Sequence, residues 1–283
     1  VPKRLPQKVA TKPQDDQIHS QLSNSELAEF LADLTKISRP IIAKWFRSLP
    51  DVETKADASP VTIADRAVET ALRTAIAARF PGDDIVGEEH SDHHGDGSTG
   101  FKWVIDPIDG TKAFISGKPI FGTLVGLLRD DSPVAGLCDM PMLDELYLGV
   151  GNEFTMNGKQ SQLSSVTDLA KARIATTSPE AFSPNGLAIF NRISKLAAVT
   201  NYGGDCYNYA LLGAGHIDLV VEDSLAPHDV MGVVGVMRAA GVIVTDFDGL
   251  PVTLAPGERA PTGSLVCAAT PALHAAAMAV ISA

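Results

Sequence analysis

The chain of 283 residues is long enough for two small domains or one large one, and 45% apolar with 20% charged residues is the composition of a globular protein with a sizeable core. A formal net charge of −11 argues against nucleic acid or an anionic membrane as the main partner and suits cation binding. Cys138, Cys206 and Cys267 are odd in number and widely spaced, so neither a disulfide framework nor a zinc motif is suggested and a reducing, cytoplasmic compartment is expected; no run of about 18 apolar residues lacks a charge or a proline, so no membrane-spanning helix is expected either.

The basic N-terminal segment carries Lys3, Arg4, Lys8 and Lys12 with no apolar stretch behind them, and residues 1–20 read as a polar, disordered tail rather than a secretory signal. A first domain, residues 21–165, opens on a helix. Ser23 and Glu26 form its capping box, with Leu22 and Leu27 as the hydrophobic staple. Leu27, Leu31, Leu34, Ile37, Ile41 and Trp45 make a helical stripe that Pro40 should kink or break. Residues 55–60 read as loop. From Thr62 a second amphipathic helix carries Val68, Leu72 and Ile76 on one face as far as Phe80. Asp65 lies in its first turn, where a carboxylate complements the helix dipole. After a turn at 81–84, a short strand at 85–89 ends in the carboxylates Glu88 and Glu89. The segment 90–100 is rich in His, Asp and Gly but lacks the apolar framing that would hold a metal ligand set rigid, and reads as a mobile surface loop.

The stretch that organises the chain follows. Trp103, Val104 and Ile105 have the look of a buried strand, which ends in Asp106-Pro107-Ile108-Asp109-Gly110-Thr111. Pro107 fixes its own φ and pushes Asp106 toward extended geometry, so that two carboxylates and the intervening carbonyls can converge on one hard cation. Gly110 frees the N–H groups of Gly110 and Thr111 to face an anion. Carboxylates for a metal beside amides for a phosphate suggest metal-assisted phosphoryl chemistry. Asp-Pro and Asp-Gly are also ordinary turn dipeptides. A haloacid-dehalogenase type of nucleophile motif is a further alternative, although its aspartates are separated by one residue and Asp106 and Asp109 by two.

Short apolar runs at 120–128, 133–139 and 145–150, extended by 154–160 with Asn157-Gly158 at a turn, read as an antiparallel meander. A second domain, residues 166–283, changes rhythm: strand 173–177, helices 185–197 and 206–214, strand 217–222, helix 229–240 and strand 242–245 alternate as in an α/β layer. Asp229 opens its helix as a cap or dipole complement. The run Asp246-Phe247-Asp248-Gly249 has the Asp-x-Asp-Gly spacing of the dehalogenase motif, but Leu250 follows it, and it reads as a strand followed by a turn. Thr270 and Pro271 announce a terminal helix.

Taken with Gly87-Glu88-Glu89 before it and Asp229 and Gly241 after it, the central motif resembles the inositol monophosphatase superfamily of magnesium-dependent, lithium-sensitive phosphatases. The runs 112–119, Phe121-Gly122-Thr123 and 203–210 resemble its histidinol-phosphate phosphatase branch. The resemblance spans about residues 25 to 270. It implies a layered αβαβα sandwich of α+β or α/β class, a homodimer, and hydrolysis of a small phosphate monoester by metal-activated water without a covalent intermediate. It assigns one Mg2+ to Glu88, Asp106 and the carbonyl of Ile108 and a second to Asp106, Asp109 and Asp229, with a third ion or Mn2+ as variations. It makes Asp65 and Thr111 the pair that orients the attacking water, and places the phosphate on Gly110 and Thr111. Glu222 matches the position that contacts the leaving group, and Asp205 opens a helix in the branch-specific segment, where it either binds an ammonium group or only caps. L-Histidinol phosphate is the expected substrate. Inositol phosphate, a nucleotide 3′-phosphate, and a cation-sensing protein without turnover are the alternatives, the last disfavoured because the full carboxylate set and Thr111 are retained. His228, beside Asp229, stands where members usually carry an aromatic residue.

Overall fold

The computed structural model describes residues 19, 21–48, 52–54, 60–96, 98–254 and 263–283, with 52–54 and 60–62 as backbone. The expected tail, except His19, and most of the loop at 55–60 lie outside the described residues. His19 is a correction to the expected tail: it is fully buried, its ring packed between Phe80 and Phe101 with centroids at 4.6 and 4.3 Å. Its Nε2 lies 3.2 Å from the buried carboxylate of Asp83, which also accepts from Trp103 Nε1 at 2.9 Å. A buried carboxylate needs such donors, and they hold the chain against the domain before residue 20.

Helix α1 (Asn24–Trp45) starts on the expected capping box, with Ser23 N donating to Glu26 at 2.9 Å and Glu26 N to Ser23 Oγ at 3.3 Å. It runs through Pro40 unbroken. Leu27, Leu31 and Leu34 before the proline and Ile42 after it are all buried. Arg39 forks onto Asp139 at 2.7–3.1 Å beside it, so tertiary contacts on both sides outweigh one missing helical hydrogen bond. A short hairpin of β1 (Val52–Thr54) and β2 (Pro60–Thr62) leads into α2 (Ile63–Arg79).

The larger sheet contains β3 (Asp84–Gly87), β4 (Phe101–Asp109), β5 (Gly122–Arg129), β6 (Ser132–Met140), β7 (Glu145–Val150), β8 (Glu153–Met156) and β9 (Lys159–Gln160) in sequence order, with α3 (Thr111–Ile115) between β4 and β5. From β4 onward every pairing is antiparallel, the meander the alternation predicts, while β3 lies parallel to β4.

The smaller sheet has the order β11-β10-β12-β14-β13 and draws on the second half of the chain. Its elements in sequence are β10 (Arg173–Thr176), α4 (Pro184–Ser194), β11 (Val199–Tyr202), α5 (Cys206–Gly213), β12 (Leu219–Glu222), α6 (Pro227–Ala240), β13 (Ile243–Thr245), β14 (Leu265–Ala268) and α7 (Pro271–Ile281). Strands β11 and β14 were not expected, and β14 makes the sheet mixed by pairing antiparallel to β12 and β13. The Asp-x-Asp-Gly run is a turn, with Asp246 accepting from the amides of Asp248 and Leu250 at 2.9 and 2.8 Å.

Among the described residues, three apolar cores order these elements into layers. One joins α1 and α2 to the large sheet, the second joins the other face of that sheet through α5 and α6 to the small sheet, and the third joins the small sheet to α4 and α7. The result is the αβαβα sandwich. Its central helix lies unusually close to the sheet: a Cβ at Gly136 would run into the Gly232 carbonyl, and one at Gly235 into the Ala135 carbonyl. The first turn of α6 stands at the carboxyl end of β4, where Asp229 meets Asp106 and Asp109.

Candidate active site

The end of β4 explains how Asp106 and Asp109 come together. Three residues apart on a regular strand, they would point to opposite faces of the sheet. Asp106 pairs with Leu124 and Asp109 with Gly122, so three steps on β4 oppose two on β5, and the one-residue bulge returns both carboxylates to the same side. Thr123 Oγ1 holds the bulge by donating to the Pro107 carbonyl at 2.8 Å. Gly110, at φ 85° and ψ 37°, then turns the chain into α3, where Thr111 Oγ1 donates to the Ile108 carbonyl at 3.1 Å.

Among the described residues, two groups of side chains meet here closely enough to share an ion. Asp106, Asp109 and Asp229 form one and Glu88, Asp106 and His228 the other, their ligand atoms within 4.8 Å of one another. Asp106 belongs to both. It is 1% exposed, and its Oδ1 has no hydrogen-bond partner among the described residues. Burial raises its pKa well above the usual carboxylate range, and Asp109, Glu88, Asp229 and Asp65 raise it further. Asp109 is raised in the same way by burial and then by Asp205 and Asp229, against the opposing effect of the Cys206 amide, which donates to it at 2.6 Å. Asp229 is the third residue of α6 and accepts from Ala226 N at 2.7 Å; burial raises its pKa as well, while neighbouring His228 pulls it down. Such mutual repulsion in oxygen ligands, with a buried acceptor left unpartnered, fits a site made for hard divalent cations. Asp65 is buried in the first turn of α2, close enough to contribute to the raised pKa of Asp106.

Glu88 sits just beyond β3, on a turn held from below by residues that motif reading missed. Glu69 of α2, fully buried, accepts from the amides of Glu89 and His90 at 2.7 and 3.2 Å and from Arg73 Nε at 2.6 Å, while Arg73 reaches on to the Ile85 and His90 carbonyls. A Cβ at Gly87 would collide with the Glu69 carboxylate, so the glycine before the two glutamates makes room for this brace. The i, i+4 spacing of Glu69 and Arg73 was visible as a helix pair, but not its target. The loop at 90–100 carries none of the candidate ion groups among the described residues. It folds back through two backbone bonds between His93 and Ile85, at 2.8 and 2.9 Å.

A cavity of about 400 Å3 opens beside this cluster, lined by Glu88, Asp109, Gly110, Thr111 and Asp229 together with Asp205, Tyr209 and Glu222; the Asp205 carboxylate lies against Gly110. Asp205 precedes α5 at φ 46° and ψ −133° and makes no capping bond. Asp109 takes the first amide of that helix instead, which leaves the Asp205 carboxylate to the cavity. Burial pushes its pKa up to about 6, with Lys112 and Lys118 opposing the rise and Asp229 adding to it. Glu222, at the end of β12, accepts from Thr177 N and Oγ1, both at 2.7 Å, and from Tyr209 OH at 2.9 Å. Burial nonetheless pushes its pKa up to about 7.

Comparison with known proteins shows the family and the fold. The inositol monophosphatase family model matches residues 23–283. The bifunctional phosphatase IMPL2, chloroplastic, of Arabidopsis thaliana is 42% identical over 234 residues, which cover 81% of this chain and 68% of that protein. A histidinol-phosphatase of Chlorobaculum parvum is 33% identical over 205 residues, covering 72% and 78%. Among solved structures, an inositol monophosphatase from Zymomonas mobilis has a TM-score of 0.81 at 35% identity, over 93% of this chain and 100% of that one. A buried carboxylate cluster suited to divalent ions, a fold shared with solved phosphatases and a match over nearly the whole chain lead to one conclusion: this protein belongs to the inositol monophosphatase family and is a phosphoric monoester hydrolase.

Proposed function

We propose that this protein hydrolyses L-histidinol phosphate to L-histidinol and phosphate with Mg2+. The observation that carries the reading is the set of carboxylates that line the cavity besides the cation cluster. Next to that cluster and to Gly110 and Thr111, the cavity presents two further carboxylates, Asp205 and Glu222. L-Histidinol phosphate has the complementary form, a phosphate at one end with an ammonium group and an imidazole at the other. The resemblance to a histidinol-phosphatase of Chlorobaculum parvum supports the same substrate.

In this reading Glu88, Asp106, the Ile108 carbonyl, Asp109 and Asp229 hold the cations. When bound, these neutralise the phosphoryl oxygens, lower the pKa of the attacking water and stabilise the leaving alkoxide. Thr111 and Asp65 position the water, and the N–H groups of Gly110 and Thr111 bind the phosphate. Glu222 is kept in place by Thr177 and Tyr209 and receives the cationic end with Asp205. With a pKa of about 7, Glu222 is easily brought to the ionised form by a cation docking beside it.

Phosphate release from L-histidinol phosphate, inositol 1-phosphate, a nucleotide 3′-phosphate and a small uncharged phosphomonoester tests the assignment. The highest kcat/KM is expected for L-histidinol phosphate. Preference for inositol 1-phosphate would reject the substrate and leave the phosphatase intact.

A further inference from the structure

We propose that His228 is a direct ligand, through Nε2, of one of the divalent cations, so that this centre carries a nitrogen donor among its oxygens. The inference rests on the reading of the carboxylate cluster as a cation site. Pro227 and His228 begin α6, whose first turn stands at the end of β4, where Asp229 meets Asp106 and Asp109. The imidazole is only 24% exposed, and Nε2 lies 3.9 Å from Glu88 Oε1 and 3.6 Å from Asp229 Oδ1. Both separations are too long for hydrogen bonds. They suit two ligands of one ion, since atoms each about 2.1 Å from a metal lie at most about 4.2 Å apart. An imidazole nitrogen of His228 also groups with oxygens of Glu88 and Asp106, and Asp106 supplies the second observation: a carboxylate oxygen, buried with the residue 1% exposed, that has no hydrogen-bond partner among the described residues.

An imidazole changes what the centre selects. Mg2+ prefers oxygen donors, whereas nitrogen donors favour Zn2+ and the later first-row ions. With His228 as a ligand, the centre favours Zn2+ over Mg2+ more strongly than its oxygens alone would.

The full chain, stripped by chelator and loaded with Mn2+, is examined by pulsed electron paramagnetic resonance. A 14N coupling is expected in the wild type, replaced by a 15N coupling when histidine is 15N-labelled. It should be absent from His228→Phe and His228→Gln, which should keep the wild-type circular dichroism and still bind Mn2+. In a chelator competition both variants should lose at least about tenfold in Zn2+ affinity while Mg2+ affinity stays within about threefold. Mn2+ bound to the wild type without a histidine nitrogen coupling, or a coupling that persists in both variants, overturns the assignment of His228. Failure of the wild type to bind Mn2+ at all overturns that assignment and the cation site together. Isotope labelling leaves the sequence unchanged and shows whether a histidine is a ligand, and the two variants identify that histidine as His228.

Discussion

Glu222→Gln removes one charge from the cavity wall at almost constant volume. The amide oxygen can keep both Thr177 bonds, and the Tyr209 hydroxyl can turn from donor to acceptor, so no buried partner is stranded. Burial moves the carboxyl from 4.5 to about 7 in the folded protein, a rise worth about 3 kcal/mol at 1.36 kcal/mol per unit. A raised carboxyl binds its proton more tightly in the folded than in the unfolded chain. Its contribution to stability is fully present below the unfolded pKa and is lost as pH rises through about 7. Wild type and variant should therefore be almost equally stable at pH 4.5, and at pH 8 the variant should be more stable by about 3 kcal/mol, or roughly 6–12 °C in Tm. Urea unfolding of chelated protein at the two pH values measures the difference. The same substitution should raise KM for L-histidinol phosphate by roughly ten- to hundred-fold, as loss of a charge-assisted contact does. Equal stability of the two proteins at pH 8, or a less stable variant there, would refute the assignment of a strained, buried charge to Glu222.

Asp106→Asn should lower kcat by more than about a thousandfold, yet in chelator the variant should melt no lower than wild type, because it removes one charge from a cluster of buried, mutually repelling carboxylates. Near-normal turnover, or a melt far below wild type, would count against that role. Asp205→Asn should cut kcat/KM for L-histidinol phosphate by roughly ten- to hundred-fold while a small uncharged phosphomonoester stays within about threefold. Equal losses on both would show that Asp205 does not read the leaving group. Glu69→Gln should leave Arg73, 13% exposed, without its carboxylate and loosen the turn bearing Glu88, at a cost of about 3 kcal/mol and a roughly ten- to hundred-fold loss of Mg2+ affinity. Unchanged Mg2+ affinity by calorimetry would show that the brace does not act on the metal ligand.

Much of the architecture was legible because local signals and burial agree. The Ser23–Glu26 capping box, the Asn157-Gly158 turn and the alternating runs of the meander each state one structure, and the fold adopts it. Strand β11 gave little signal, since Val199, Asn201 and Tyr202 are exposed at a sheet edge and no apolar alternation is required there. Strand β14 carries a clear apolar run, Leu265 to Ala268, but its antiparallel insertion between β12 and β13 is set by partners distant in sequence. Pro40 was read by its local rule and overruled by packing on both sides. At the site, the residue types and spacing of Asp106 and Asp109 announced a cation centre, whereas the bulge that aims them depends on the register with β5. Glu69 and the capping of α5 by Asp109 instead of Asp205 were not legible, because in both a carboxylate accepts from a backbone amide distant in sequence, which no local rule predicts.

The central claim is that the carboxylates around Asp106 are a divalent cation centre that drives phosphomonoester hydrolysis. Its most direct test is phosphate release from L-histidinol phosphate by protein stripped with chelator and then titrated with Mg2+. Turnover should be absent from the stripped protein and return with saturating dependence on Mg2+ in the wild type but not in Asp106→Asn. Full turnover by the stripped wild type, or Mg2+-restored turnover of the Asp106→Asn variant at the wild-type rate, would contradict it.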